Sequence, residues 1–320
     1  MVKNKRLIGI VMPLLLLFLV FTVGCSARNI NKAQEKPVQV DKKQASFPVT
    51  VTDDMSHKVT IKKEPNRLIS LAPSNTEMLY ALGCQDRLVG VTSYCDYPKD
   101  AKKKEKVGTF ASPNLEKILS LKPDIVFITD GVQAPVIKRL KEAKIVTFVV
   151  SPKTVEGMIG DLIRIGKVVG SEDRAKSVSD NLEKRLAKVE STLSHVKKKK
   201  TAFYELYHEP LMTVGAKSPI NDILSKAGVI NIAGDIQSAY PQYSLETLLQ
   251  KDPDVYLAST GSMQSPGDIL KRSGWAGLSA VKNHKVYVFD ENIIDRPGPR
   301  MVDAVEKIAA AVYPELFTKK

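Results

Sequence analysis

The residues able to do chemistry in this chain are scattered in a way that argues against catalysis. His57, His195, His208 and His284 stand singly, and Cys25, Cys84 and Cys95 lack metal-ligand spacing. No GxSxG, GxxxxGK[ST], HExxH or CxxC pattern occurs. The polar and aromatic side chains that could meet a ligand follow short apolar runs instead. Ser74 and Asn75 follow Leu68–Leu71, Tyr94 follows Leu88–Thr92, and Phe110 follows Val107-Gly108. Thr129 follows Ile125–Ile128, and Met212 lies beyond Phe203–Tyr207. Tyr240 precedes a second helical pattern, and Arg296 and Arg300 follow Val286–Phe289. In open parallel sheets ligands gather beyond the carboxyl ends of strands. Aromatics with a few polar and cationic groups at those ends suit a bulky, partly flat ligand with polar edges. A tyrosine or phenylalanine there can equally close the end of a core.

Those apolar runs alternate with helical patterns from Arg67 onward, which predicts parallel sheets with helices on both faces. Helices are expected at 75–82, 115–121, 136–143 and 220–227, and a hairpin at 49–61. The chain also repeats itself. Asn114–Thr129 aligns without a gap on Ser244–Ser259, with Leu, Glu, Leu, Pro and Asp in common, which predicts two related lobes. Between the halves, Met158, Leu162, Ile165, Val168 and Val169 share one helical face. Leu182, Leu186, Val189 and Leu193 share another, and Ser171 is expected to cap the second helix. The expected division is a lobe at 47–165, a connecting backbone helix at 166–198 and a lobe at 199–320. A stiff helical connection predicts small tilting of the lobes and not a wide hinge.

The amino terminus carries Lys3, Lys5 and Arg6, then an apolar run from Leu7 to Val23 interrupted by Pro13. Such a run is short for a spanning helix and reads as an export signal over residues 1–24. Thr22-Val23-Gly24-Cys25 resembles the lipobox of bacterial lipoproteins, which implies cleavage after Gly24 and acylation of Cys25. The competing reading is a plain secretory signal ending near a cysteine. Residues 25–46 are polar and charged, the composition of a flexible tether. The net charge of +13 includes the three leader cations, and only Lys197–Lys200 forms a tight basic block. An exported chain does not meet nucleic acid, so the charge is read as a solubility feature with attraction to an anionic envelope. Cys84 and Cys95 are expected to flank the strand at 88–92 and to remain unpaired.

The runs RLISLAPSNTEMLYALG, VGVTSYCDYP, NLEKILSLKPDIVFIT, EPLMTVG, YSLETLLQKDPDVYLA and RPGPR resemble, in this order, the helical-backbone class of ABC-importer solute-binding proteins. This is the cobalamin and ferric-siderophore group, and the resemblance spans the chain from Arg67 on. It implies an α/β protein of two Rossmann-like lobes, each a parallel sheet flanked by helices, joined by one long backbone helix. It implies a monomer without catalytic activity or resident cofactor, gripping a transported ligand between the lobes. It also implies docking on a permease dimer through one glutamate per lobe, which would be Glu116 and Glu246. Acids in a first helical turn also favour the helix dipole, by ~0.3–1 kcal/mol, and that reading stands beside the docking one. The cobalamin-binding members are the most similar through Tyr94–Pro98, which implies a corrinoid held by Tyr94, Phe110 and Tyr240. Thr129 and Met212 depart from the aromatic pattern of that group. Arg296 and Arg300 match an arginine-bearing loop, with Arg300 alternatively a structural link. A ferric siderophore is the runner-up ligand. Haem is kept open by His208, Met212 and Tyr94, and an exported enzyme on the same scaffold is the reading from another class.

Overall fold

A computed structural model describes residues 46–261 and 266–317. The expected signal, tether and Cys25 lie outside these residues. The chain first forms an antiparallel hairpin, β1 (Val49–Thr52) with β2 (Lys58–Ile61), pairing Val49 with Ile61 and Thr52 with Lys58. Asp53 closes the turn by accepting the N–H groups of Met55 and His57 at 3.0 and 2.8 Å.

The first lobe runs β3 (Leu68–Ser70), α1 (Pro73–Ala81), β4 (Leu88–Val91), α2 (Leu115–Ser120), β5 (Ile125–Ile128), α3 (Ala134–Glu142) and β6 (Thr147–Val149). Next come α4 (Val155–Val169) and α5 (Glu172–Leu193). The second lobe runs β7 (Lys200–Glu205), α6 (Pro219–Lys226), β8 (Val229–Asn231), α7 (Leu245–Lys251), β9 (Val255–Ser259), α8 (Ser279–Lys282) and β10 (Val286–Phe289). It closes with α9 (Glu291–Ile294), α10 (Met301–Val312) and α11 (Pro314–Phe317). The sheets are β4-β3-β5-β6 and β8-β7-β9-β10, and every pairing in them is parallel. Numbered within each lobe, both have the strand order 2-1-3-4.

The internal repeat therefore has a physical basis, because the two matched segments are α2–β5 and α7–β9. Asn114 and Ser244 cap them, each side chain accepting the N–H three residues on, at 3.0 and 3.3 Å. Lys122 and Asp252, just before the shared Pro-Asp, both take positive φ, 46° and 36°. The repeated aspartate then reaches the start of the lobe's first strand. Asp124 accepts from the N–H of Arg67 at 2.9 Å, and Asp254 from that of Thr201 at 2.8 Å. One carboxylate thus sets the register between first and third strands in each lobe.

Three sequence-based expectations shift. α1 and α6 begin at Pro73 and Pro219, earlier than their apolar periodicity indicates. Proline fits the first turn because its missing N–H would have no helical partner there. The connecting helix is not continuous over 166–198. Gly170 adopts φ 68° and ends α4, and the straight connector is α5 alone. Ser171 holds the cap position of α5 without a side-chain capping bond; its hydroxyl accepts from Arg87 Nη2 at 3.4 Å.

One apolar core runs through both lobes. It includes Leu68, Phe127 and Phe148 of the first, Leu182, Leu186 and Val189 of α5, and Ala202, Leu257 and Met301 of the second. Two smaller clusters fill the outer faces of the sheets, around Val126 in the first lobe and Tyr256 in the second. Burying each large aliphatic side chain contributes about 1.5–3 kcal/mol, so prying the lobes far apart is unfavourable. α5 is also fastened along its length. Arg174 donates to Ala81 O at 2.6 Å, and Arg185 Nε donates to Glu306 of α10 at 2.9 Å.

Candidate ligand-binding cleft and docking residues

Beyond the strand ends lie three exposed tyrosines, Tyr94 (59 % exposed), Tyr97 (47 %) and Tyr240 (47 %). Aromatic rings left open to water on otherwise well-packed lobes are available to a partner. Phe110 is half-buried on a loop that the buried Gln133 fixes. The Gln133 amide donates to Phe110 O and Leu71 O, both at 2.7 Å, and accepts from the Thr129 N–H at 3.1 Å. One glutamine thus ties the ends of β3 and β5 to the loop that carries Phe110. Met212 is half-buried and its backbone bridges to Tyr207, donating to the carbonyl at 2.8 Å. His208 is half-buried beside Trp275, ring centroids 5.5 Å apart, with Nδ1 unpartnered.

Tyr240 belongs to the second lobe. Burial pushes its phenol pKa up, the Ser218 side chain opposes this by hydrogen bonding, and the charges of Asp295 and Asp130 add to the rise. Asp130 follows β5 in the first lobe, so Tyr240 lies where the two lobes face each other. Asp295 is open to water yet held from beneath. Tyr204 Oη donates to one carboxylate oxygen at 2.8 Å, and Ser259 Oγ to the other at 2.9 Å. Crowding by protein raises the Asp295 pKa first; the two hydroxyls oppose the rise, and Glu291 and Asp290 reinforce it. In the same lobe Glu205, fully buried, is paired with Arg272 and also accepts from Tyr256 Oη.

The arginines do not project freely toward a ligand. Arg296 donates to Asp96 at 2.6 Å and lies 3.5 Å from Glu77. Arg300 grips Glu77 through Nε at 2.8 Å and Nη2 at 2.5 Å, and stacks 4.1 Å above the Tyr97 ring. Both cations bridge from the second lobe to acids of the first. Burial raises the Glu77 pKa in spite of the two guanidinium groups. Burial also pushes Asp96 up, but the Arg296 hydrogen bond and charge outweigh it and the net shift is down. Ser74 and Asn75 are buried, 7 % and 1 % exposed, and a Cβ at Gly298 would approach Ser74 Cα to 3.3 Å. They sit under the loop of the opposite lobe and are not open to a ligand here.

Glu116 and Glu246 are both exposed, each second in its helix, α2 and α7. Their equivalence in the repeat is thus an equivalence in three dimensions. Cys84 and Cys95 are buried and unpaired. Thr76 donates to Cys95 Sγ at 3.1 Å, and Arg87 to Cys84 Sγ at 3.2 Å.

Sequence reasoning passed over Glu77, Gln133, Glu205 and Arg272. Asp96, Asp130 and Asp295, each following a strand, carried a positional signal.

Two lobes of one topology sharing a core, with exposed tyrosines and a water-accessible carboxylate at their strand ends, have the architecture of a two-lobed solute-binding protein. Residues 68–293 match the periplasmic binding protein family, and the chain belongs to it. It is 35 % identical over 310 residues to YvrC, an uncharacterised ABC transporter substrate-binding lipoprotein of Bacillus subtilis, covering 95 % of this chain and 96 % of that one. The crystal structure of the periplasmic vitamin B12-binding protein BtuF of Vibrio cholerae superposes with a TM-score of 0.70 at 28 % identity, covering 79 % of this chain and 99 % of that one. A periplasmic haem-binding protein from Pseudomonas aeruginosa superposes with a TM-score of 0.70 at 25 % identity, covering 78 % and 93 %.

Proposed function

We propose that this protein captures a corrinoid between its lobes and delivers it to a dimeric ABC permease, held at the outer face of the membrane by lipid on Cys25. One observation carries the choice of ligand: the arginines of the second lobe's loop are already neutralised, and among the described residues Asp295 has no cation beside it. Arg296 and Arg300, the cations that would attract an anionic ferric siderophore, are paired with Glu77 and Asp96. Asp130 is in turn paired with Lys153 at 3.2 Å, whereas Asp295, held by two hydroxyls, keeps its charge toward Tyr240. A ligand rimmed by amide N–H donors, with a broad flat face for Tyr94, Phe110 and Tyr240, meets such a site without charge repulsion. Glu116 and Glu246 then serve the permease, one carboxylate per lobe for one cation per subunit, by the two-fold match of lobes and dimer.

The test is calorimetry with cyanocobalamin. A dissociation constant below about one micromolar, or ~−8 kcal/mol, is expected. Each of Tyr94→Ala, Phe110→Ala and Tyr240→Ala should weaken it by ~1–3 kcal/mol. No heat with cyanocobalamin but clear binding of a ferric catecholate would overturn the reading. Haem is the second reading, supported by the unpartnered Nδ1 of half-buried His208. A Soret band on adding haem, abolished by His208→Ala, would establish it in place of the corrinoid.

A further inference from the structure

On either side of the cleft, a carboxylate on the first crossover helix of one lobe holds the start of the helix that follows the last strand of the other. Glu77 of α1 receives Arg300, the residue just before α10, at 2.8 and 2.5 Å, with Arg296 at 3.5 Å. Asp222 of α6 receives the backbone N–H of Val155, the first residue of α4, at 2.7 Å. Next to it Lys226 of α6 pairs with Glu156 of α4. Since α1 and α6 both join strand 1 to strand 2, and α4 and α10 are each the first long helix after strand 4 (with the single turn α9 preceding α10), the two contacts are counterparts under exchange of the lobes. Nothing in the aligned segments encodes this, for those lie in α2–β5 and α7–β9.

Arg296 on Asp96, Arg300 on Tyr97 and Lys226 on Glu156 accompany these two contacts, and beyond them the described residues link the lobes through α5 and the shared apolar core, where contact is non-directional. It resists separation but tolerates sliding and tilting. A hydrogen-bonded carboxylate is different, because it fixes a distance and a direction. Glu77 is 4 % exposed, so a tilt that pulled Arg300 away would strand a buried acid, and the orphan N–H at the start of α4 would lose its only cross-lobe acceptor. The resistance is therefore stepwise: each contact holds or breaks.

We infer that Glu77 and Asp222 are paired inter-lobe latches, one on each flank of the cleft, which set the lobe separation and through it the rate at which ligand leaves. While the Glu77 latch holds, it also keeps the charges of Arg296 and Arg300 away from the ligand. The inference rests on the cleft as the binding site, but its first measurement needs no ligand.

Lys138 on α3 and Lys282 on α8, both exposed, are changed to Cys in the full-length protein and spin-labelled, with label stoichiometry checked by mass. Pulsed dipolar spectroscopy then reads the distance between the lobes. Glu77→Gln and Asp222→Ala, which removes the acceptor of the Val155 N–H, should each broaden the distribution, and together they should lengthen it by a few ångström. Release of cyanocobalamin from the double variant should be about tenfold faster. Arg300→Gln tests the same latch from the other lobe should Glu77→Gln fail to fold. A folded double variant whose distance distribution superimposes on the parent's overturns the latch. If the parent binds no cyanocobalamin, the corrinoid reading falls, and the distance measurement still decides the latch.

Discussion

Replacing Arg272 by Met should destabilise the second lobe more than any exposed substitution, because it strands a buried charge. Glu205 is fully buried at the carboxyl end of β7, and the Arg272 side chain is 8 % exposed. The pair is further enclosed by Tyr256, whose hydroxyl donates to Glu205 and accepts from Trp275 Nε1 at 3.2 Å. Met fills much of the volume of arginine, so the packing loss is modest and the charge dominates. Removing one partner of a buried pair costs about 3–5 kcal/mol. At roughly 2–4 °C per kcal/mol for a chain of this size, the melting temperature should fall by ~6–20 °C. Calorimetric melts of the parent and the variant check this. Adding Glu205→Gln to Arg272→Met should restore much of the loss, because no charge then remains to be stranded. A fall of less than about 2 °C for the single variant would show that Glu205 finds water and would refute the reasoning.

The Glu116→Ala/Glu246→Ala double variant should keep cyanocobalamin affinity within about twofold while uptake falls by more than about tenfold. Normal uptake would reduce both residues to helix-start acids. Asp161 is pushed up to about 8, first by burial and then by the charge of Asp54, with Arg164 opposing. Its stabilising protonated form is complete below the ordinary carboxylate range and is lost as pH rises through about 8. Asp161→Asn should therefore raise the melting temperature more at about pH 8.5 than at about pH 5.5, and an equal change at both would contradict the shift. Thiol titration of the unfolded, unreduced protein should find Cys84 and Cys95 free, whereas in the folded state both should resist labelling.

The sequence alone determined what is local. The alternation of elements, the capping residues Asn114 and Ser244 and the Pro-Asp before β5 and β9 depend on neighbours within one helix and one strand. Periodicity and turn chemistry therefore reveal them, and the repeat of that unit announces two lobes. It also placed Tyr94 and Phe110 beyond apolar runs and Tyr240 before the repeated helix, because chain direction in a parallel sheet fixes which end each loop occupies. Tertiary structure decided the partners of the charges. Arg296 and Arg300 read as ligand-binding cations in sequence, yet they meet acids some 200 residues away, Asp96 and Glu77. Ser74 and Asn75 read as loop donors and are covered by the opposite lobe. Glu205 gives no sign in sequence of being buried against Arg272. A side chain's charge is written in its type, but whether that charge is free or neutralised depends on what folding brings within about 4 Å, where attraction and desolvation are both largest.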